Sequence, residues 1–463
     1  MIAPLQQPLS TEAVSIRFDR PLAAPRAPVG LVSAALGFFG LMPYPAVAVG
    51  KYTALQVGDF LVLVLAAPVL FMSWRRRPFW VFPLLMAPLC VSALKAAVAG
   101  QDGLDLCLKS LTVWGVSLVA IVAVQLCAPR YGGELLGGVA AAVLVHAGVG
   151  LWQLYSFSQG KLPLVDLYVN PSFLSVQDNA TTIARYVQRP FGLFPEPSAM
   201  AASLAPWVLI LFSLSFELIE LKSPIGRIRR VLFGGSALAG LGLIIVSRSG
   251  HAATTSLGIV ALVAVWFVRA RANSRTFLAV VAVFGVFLPI VVFLAAESMG
   301  ERLGGKTAFG NSSWGERADS LMNGFELVAS SGMPTHLFGI GVGLMSPAIT
   351  AATGLSAVFS VLLTYLFETG VVGGIAVAWV GYFLLGVWGA SRFDITFALV
   401  AVVWLAGITV ITSYEQLLPL WMTLGWLTVW PQVCWKDWEG EGLGSIPTVR
   451  LLRRSHSSAG AIP

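Results

Sequence analysis

Apolar stretches close to 20 residues long recur from Val29 to Trp435 and leave no room between them for an independent soluble domain. That is the length an α-helix needs to cross ~30 Å of hydrocarbon. The runs are too continuous for the alternating pattern of barrel strands. Lipid cannot satisfy open backbone N–H and C=O groups, so helices are the remaining solution. Charge agrees with this: Asp, Glu, Lys and Arg together make up only 11% of the chain and hydrophobic residues 57%, whereas a soluble domain is roughly 25% charged. The pattern predicts an all-α, polytopic integral membrane bundle.

Candidate spans begin near Val29, Leu55, Phe79, Leu104, Leu135, Ala199, Val231, Ala252, Thr276, Val371, Ile395 and Gln416, giving about twelve transmembrane helices. Residues 29–435 thus form one membrane domain between a polar, Pro-rich tail (1–28) and a second tail (436–463). The first tail has no apolar stretch of the kind a cleavable signal requires. Basic clusters at Arg75–Arg77, Lys222–Arg230, Arg269–Arg275 and Lys436–Arg454 fall on one side of this arrangement. Lys and Arg in short loops are retained in the cytoplasm, which places both termini there. Positive charge so distributed meets anionic lipid headgroups and requires no nucleic acid.

Two long segments, about 158–197 and 297–370, fall on the outer side as periplasmic loops and hold its densest polar content. Long loops in a compact protein are usually functional. Within the second, Ser356–Phe367 is apolar. It is read as a helix lying in the outer interface, since counting it as a span would move the Arg450–Arg454 tail outside. The four cysteines are scattered singly, and His146 and His456 have no ligand neighbours at useful spacing, so neither a disulfide framework, a metal site nor a cofactor is indicated.

Three places on the outer side carry residues suited to chemistry. The run from Gln188 to Ser198 combines Arg189, Gly192 and Glu196 with three prolines just before an apolar helix. Ser198 is placed to cap that helix, whose positive end favours an anion. Arg189 offers a charged fork that suits phosphate oxygens, and Glu196 is either a salt-bridge partner or a general base. The turn Ser247-Arg248-Ser249-Gly250-His251 puts an arginine at the outer end of two apolar helices, against the inside-positive trend. An ionisable group there is expensive without a partner or a purpose. The third place is the second loop, with Arg317, His336, the glycines between Gly339 and Gly343, and Glu368, for which a capping role is as good a reading as a catalytic one. Those glycines lack the βαβ setting of a dinucleotide site. Arginines and a carboxylate above an apolar bundle suit an amphiphile with a lipid tail and a diphosphate head, such as a polyprenyl-diphosphate sugar.

At these residues the chain resembles the superfamily of O-antigen ligases and Wzy-type polysaccharide polymerases. The resemblance covers roughly Arg185 to Trp430. It rests on Arg189 to Ser198, on Ser247 to Gly250, and on an Arg-led loop helix at Arg317 followed by the Gly339–Gly343 run. It implies a metal-independent, inverting glycosyl transfer at the periplasmic face of the bacterial inner membrane. The implied donor is an undecaprenyl-diphosphate-linked oligosaccharide, and a chain-length regulator and a flippase are implied partners. Relatives carry a His in the loop helix where this chain has Phe359. That replacement favours a polymerase over a ligase and leaves His336 or Glu196 as proton acceptor. Arg189 and Arg248 are then expected at the diphosphate, with Arg185, Arg317, Ser247 and His251 lining the substrate. A ligase acting on lipid A core or protein, and a transporter of lipid-linked sugars, are the alternatives.

Overall fold

A computed structural model describes residues 27–42, 46–49, 53–73, 81–98, 101–161, 189–194, 196–221, 225–270, 322–353, 360–391, 394–411 and 418–434. Residues 1–26 and 435–463, Arg185, Arg317 and the candidate span near Thr276 lie outside the described residues, and residues 27 and 28 of the first tail belong to a helix. Helices carry the fold. Among the described residues, five are long and apolar enough to cross a membrane: Val81–Val98, Gly103–Ser158, Pro197–Ser215, Arg227–Val246 and Val361–Gly389.

The order is α1 (Ala27–Phe39), α2 (Val57–Ser73), α3 (Val81–Val98), α4 (Gln101–Ser158), α5 (Pro197–Ser215), α6 (Arg227–Val246) and α7 (Gly250–Ala270). There follow two short helices, α8 (Met333–Phe338) and α9 (Met345–Thr353), and then α10 (Val361–Ala390), α11 (Ile395–Ala406), α12 (Leu418–Thr428) and α13 (Trp430–Cys434). A small antiparallel hairpin, β1 (Ala46–Val49) with β2 (Thr53–Gln56), adds two strands that the hydropathy pattern does not announce.

The 58 residues of α4 are interrupted at Tyr131 (φ −124°, ψ 28°), between Pro129 and the pair Gly132-Gly133. Proline removes a donor and crowds the preceding turn, and glycine tolerates the bend. Contacts to neighbouring helices show that the chain folds back here. Trp114 of the first arm packs edge-on against Trp421 of α12. The next residue, Met422, fills the space beside Gly40, and Leu41 accepts a hydrogen bond from His146 of the second arm. In a straight helix Trp114 and His146 would lie roughly 50 Å apart. The arms are therefore antiparallel, and each exceeds the ~20 residues a crossing takes.

Glycines set the closest approaches. A β-carbon on Gly37 would lie 2.1 Å from Leu135 O, and one on Gly138 would lie 1.8 Å from Ala34 O, so α1 and the second arm of α4 meet backbone to backbone. Small residues perform this function where lipid supplies no hydrophobic drive between helices. Buried polar groups pair inside the bundle. Gln125 Nε2 donates to Thr428 Oγ1 at 2.8 Å, and the indoles of Trp207 and Trp404 donate to Pro419 O at 3.2 Å and Leu420 O at 2.7 Å.

α10 is not one straight span. Gly370 (φ 63°, ψ −151°) divides it into a short buried piece, from Val361 to Thr369, and a longer apolar piece whose Val371, Ile375, Trp379 and Leu385 are exposed. The short piece starts at Ser360, whose hydroxyl accepts from Leu363 N at 3.2 Å and donates to Ile408 O at 3.4 Å. Tyr365 Oη donates to Leu85 O, well inside α3, at 2.9 Å, and the ring packs on Trp114. The expectation of an interfacial helix at Ser356–Phe367 is corrected in its described part: residues 360–367 pack within the bundle. An apolar run shorter than a span looks the same in sequence whether it lies on lipid or packs among helices.

At the other end of the bundle, Asp394 caps α11 by accepting from Thr396 N at 2.9 Å, and it also accepts from Trp430 Nε1 at 3.1 Å. Replacing Asp394 with Ala removes both bonds and is expected to destabilise the protein by about 2 kcal/mol. Thermal unfolding in detergent, with Asp394→Asn as the milder comparison, measures it.

Candidate functional site

The helix directions bring two of the three suspected places to one end of the bundle. α5 and α6 run antiparallel, since Gly240 faces Val208 while Gly234 faces Ser215. α7 runs with α5, since Gly258 faces Leu209 while Gly407 lies between Ala202 and His251. The end of α4's second arm meets the end of α6 where Gly150 faces Leu243. The start of α5, the end of α6 and the start of α7 therefore lie together. Because α4 folds back, its beginning near Leu106 lies at the same end, and Gly343 packs against Leu106 O there. The third place joins the other two.

The run Arg189–Phe194 is held from below by two side chains of α4. Gln153 Oε1 accepts from both Phe191 N and Gly192 N at 2.9 Å, and its Nε2 donates to Gly192 O at 2.9 Å. Seven residues earlier on the helix, His146 Nδ1 accepts from Leu193 N at 3.2 Å while Nε2 donates to Leu41 O at 2.7 Å. Those two contacts make the ring the neutral tautomer with its proton on Nε2. Gly192 stands at φ +59°, and a β-carbon there would come within 2.9 Å of His146 Nδ1. The His146 and Phe194 rings lie 4.8 Å apart.

Beyond this turn, Glu196 rather than Ser198 occupies the N-cap position of α5, with Pro197 first in the helix. The Ser198 hydroxyl instead donates to Glu196 Oε1. The proline accounts for the shift, because Pro suits the first helical position and fixes the residue before it as extended. Arg189 and Glu196 are both half-buried. The carboxylate thus stands at the positive end of α5, with one oxygen accepting the Ser198 hydroxyl.

The second turn is strained. Arg248 has φ 51°, one of two described non-glycine residues with positive φ. A left-handed conformation costs an L-residue about 1–2 kcal/mol, and such strain clusters where function demands it. Ser247 is fully buried and donates to Ile244 O at 2.6 Å, closing α6. His251 is also fully buried, its ring next to Gly407, and its carbonyl accepts from Thr254 and Thr255. His251 thus faces the α11 side of the bundle from within the first turn of α7.

The third place is a folded-down loop. His336 Nε2 donates to Val328 O at 2.9 Å, fastening α8 to the helical stretch 322–329. Gly339, Gly341 and Gly343 all have positive φ, and a β-carbon on Gly339 would lie 2.1 Å from Glu368 O. Glu368, 2% exposed, accepts from Gly343 N at 2.9 Å through Oε1, and Ser92 Oγ donates to its carbonyl. Lys95 Nζ donates to Thr335 Oγ1 at 2.7 Å and Gly339 O at 2.6 Å. Glu368 therefore ties the glycine-rich loop to α10, and Lys95 ties it to α3.

His146, Gln153 and Lys95 were not among the expected site residues. The available signal was the i, i+7 spacing of His146 and Gln153 within an otherwise apolar span, where unpartnered polar groups are expensive. Among the described residues no group of three or more His, Cys, Asp or Glu is arranged to hold a metal ion. No family model, curated protein or solved structure matches the chain.

Proposed function

We propose that this protein is a glycan polymerase of Wzy type, acting on polyprenyl-diphosphate-linked sugars at the outer face of the bacterial inner membrane. The observation that carries the reading is Arg248, kept in a left-handed turn between two apolar helices at the bundle end that also presents Arg189 and Glu196. The opposite end carries Arg227, Arg229 and Arg230 in the first turn of α6, which the positive-inside rule places in the cytoplasm. In this reading that orientation puts Arg189, Glu196 and Arg248 on the periplasmic side.

In this reading the undecaprenyl tail lies in lipid along the bundle and the diphosphate sits under Arg189 and Arg248. An acceptor sugar hydroxyl of a second lipid-linked repeat unit attacks the anomeric carbon. The new glycosidic bond forms as the bond to the diphosphate oxygen breaks, with inversion. The hydroxyl proton passes to Glu196, and the two guanidinium groups stabilise the charge on the departing polyprenyl diphosphate. His336, whose Nε2 is engaged with Val328 O, serves the loop's fold. A flippase delivering the donor and a chain-length regulator are the partners such a reaction calls for.

The test is product analysis with the purified full-length protein in liposomes supplied with lipid-linked repeat units from the native host. A ladder of longer lipid-linked chains is expected. Donor chains of unchanged length joined to a non-repeat acceptor would make the protein a ligase. Donor that changes leaflet without forming any new glycosidic bond would make it a transporter.

A further inference from the structure

We infer that Gln153 and His146, two polar residues inside a membrane-spanning arm, are positioning residues that hold the Arg189–Glu196 turn in its working shape. The inference rests on the reading of that turn as the diphosphate site. A single side chain, Gln153, takes three hydrogen bonds to two consecutive residues of the turn, using both ends of its amide. Few side chains can do this. A carboxylate would lose the donor to Gly192 O, and a leucine of similar size would leave two N–H groups and one carbonyl without their partner.

His146 fixes the next residue. Its Nδ1 accepts from Leu193 N, and its Nε2 is anchored on Leu41 O at the end of α1, so the ring cannot turn without breaking a bond. Gly192 completes the fit, since its positive φ and missing β-carbon let the backbone lie against the imidazole. Three successive backbone N–H groups, of Phe191, Gly192 and Leu193, are thereby all bound to one face of α4. Gln153 and Phe191 are fully buried, and so is His146. An irregular backbone segment at this depth is tolerated only where protein satisfies its polar groups. Arg189 precedes the clamped residues by two positions and Glu196 follows them by three, so the clamp sets where both side chains emerge.

Gln153→Leu, Gln153→Glu and His146→Asn in the full-length protein test this with two readouts. The first is hydrogen exchange of the peptide 189–194. The second is the kcat and donor KM of chain elongation for the folded fraction. Gln153→Leu is expected to speed exchange at Phe191 and Gly192 and to lower kcat about 10- to 100-fold, with donor KM changed far less. Gln153→Glu keeps the acceptor for both N–H groups but loses the donor to Gly192 O, and is expected to recover only part of the protection and rate. His146→Asn keeps an acceptor in place of Nδ1 and is expected to fall between the two, which preserves the test if Gln153→Leu does not fold. Unchanged exchange in Gln153→Leu, or faster exchange with wild-type kcat, overturns the inference. If Arg189→Ala elongates at the wild-type rate while Gln153→Leu is slow, Arg189 leaves the diphosphate site and the clamp serves Glu196.

Discussion

Replacing Arg248 with glycine is expected to make the protein more stable and nearly inactive. Arg248 occupies a left-handed conformation at φ 51°, and glycine adopts it without penalty, so folding should gain about 1 kcal/mol. The guanidinium is lost at the same time. Removing one group that stabilises a departing anion lowers turnover by about 100- to 1000-fold. Arg248→Ala separates the two effects, because alanine keeps the strain and loses the charge. Thermal unfolding should therefore rank glycine above wild type and alanine at or below it, while both variants fail to lengthen lipid-linked chains. Wild-type ladders from either variant would remove Arg248 from the mechanism.

The second large effect is structural and falls on neighbouring glycines. A β-carbon on Gly138 would lie 1.8 Å from Ala34 O, whereas one on Gly137 meets nothing within 4 Å. Gly138→Ala must push α1 away from the second arm of α4, at a cost of about 3 kcal/mol or more. Gly137→Ala should be neutral or gain up to about 1 kcal/mol in helix propensity. Melting curves and the yield of monodisperse protein in detergent read this difference. Equal behaviour of the two variants would mean that the helices do not meet as described.

The coarse architecture was legible because hydropathy and helix length are one-dimensional properties. A run such as 197–215 announces its own helix and needs no partner to do so. The reversal of α4 was legible as well, because the candidate spans beginning near Leu104 and Leu135 put a short turn between them, and the structure places it at Tyr131. One feature escaped for a physical reason. The piece from Val361 to Thr369 is apolar whether it meets lipid or protein, and only its partners Leu85, Trp114 and Ile408 decide the matter.

Candidate residues stood out in the sequence where charge broke with its surroundings, as at Arg189 and Arg248. Their supports were illegible where they came from afar. Gln153 precedes the turn it clamps by 38 and 39 positions, and Ser92 and Glu368 are 276 apart. Ser198 was misassigned as a cap because Pro197 between it and Glu196 shifts the helix start by two residues. The glycines at 339, 341 and 343 look like a flexible run until Glu368 and Lys95 are seen to fasten them.

The buried piece of α10 also bears on how the chain is assembled. It touches α3 and α4, made early in synthesis, and through Ser360 it touches Ile408, which is made later. A segment of this length is too short to be handed to lipid as an independent crossing. Its last contact must therefore wait until translation has passed Ile408, and a chain stopped before that point would leave the Ser360 hydroxyl without its acceptor. This part of the bundle is thus completed late, together with the C-terminal helices.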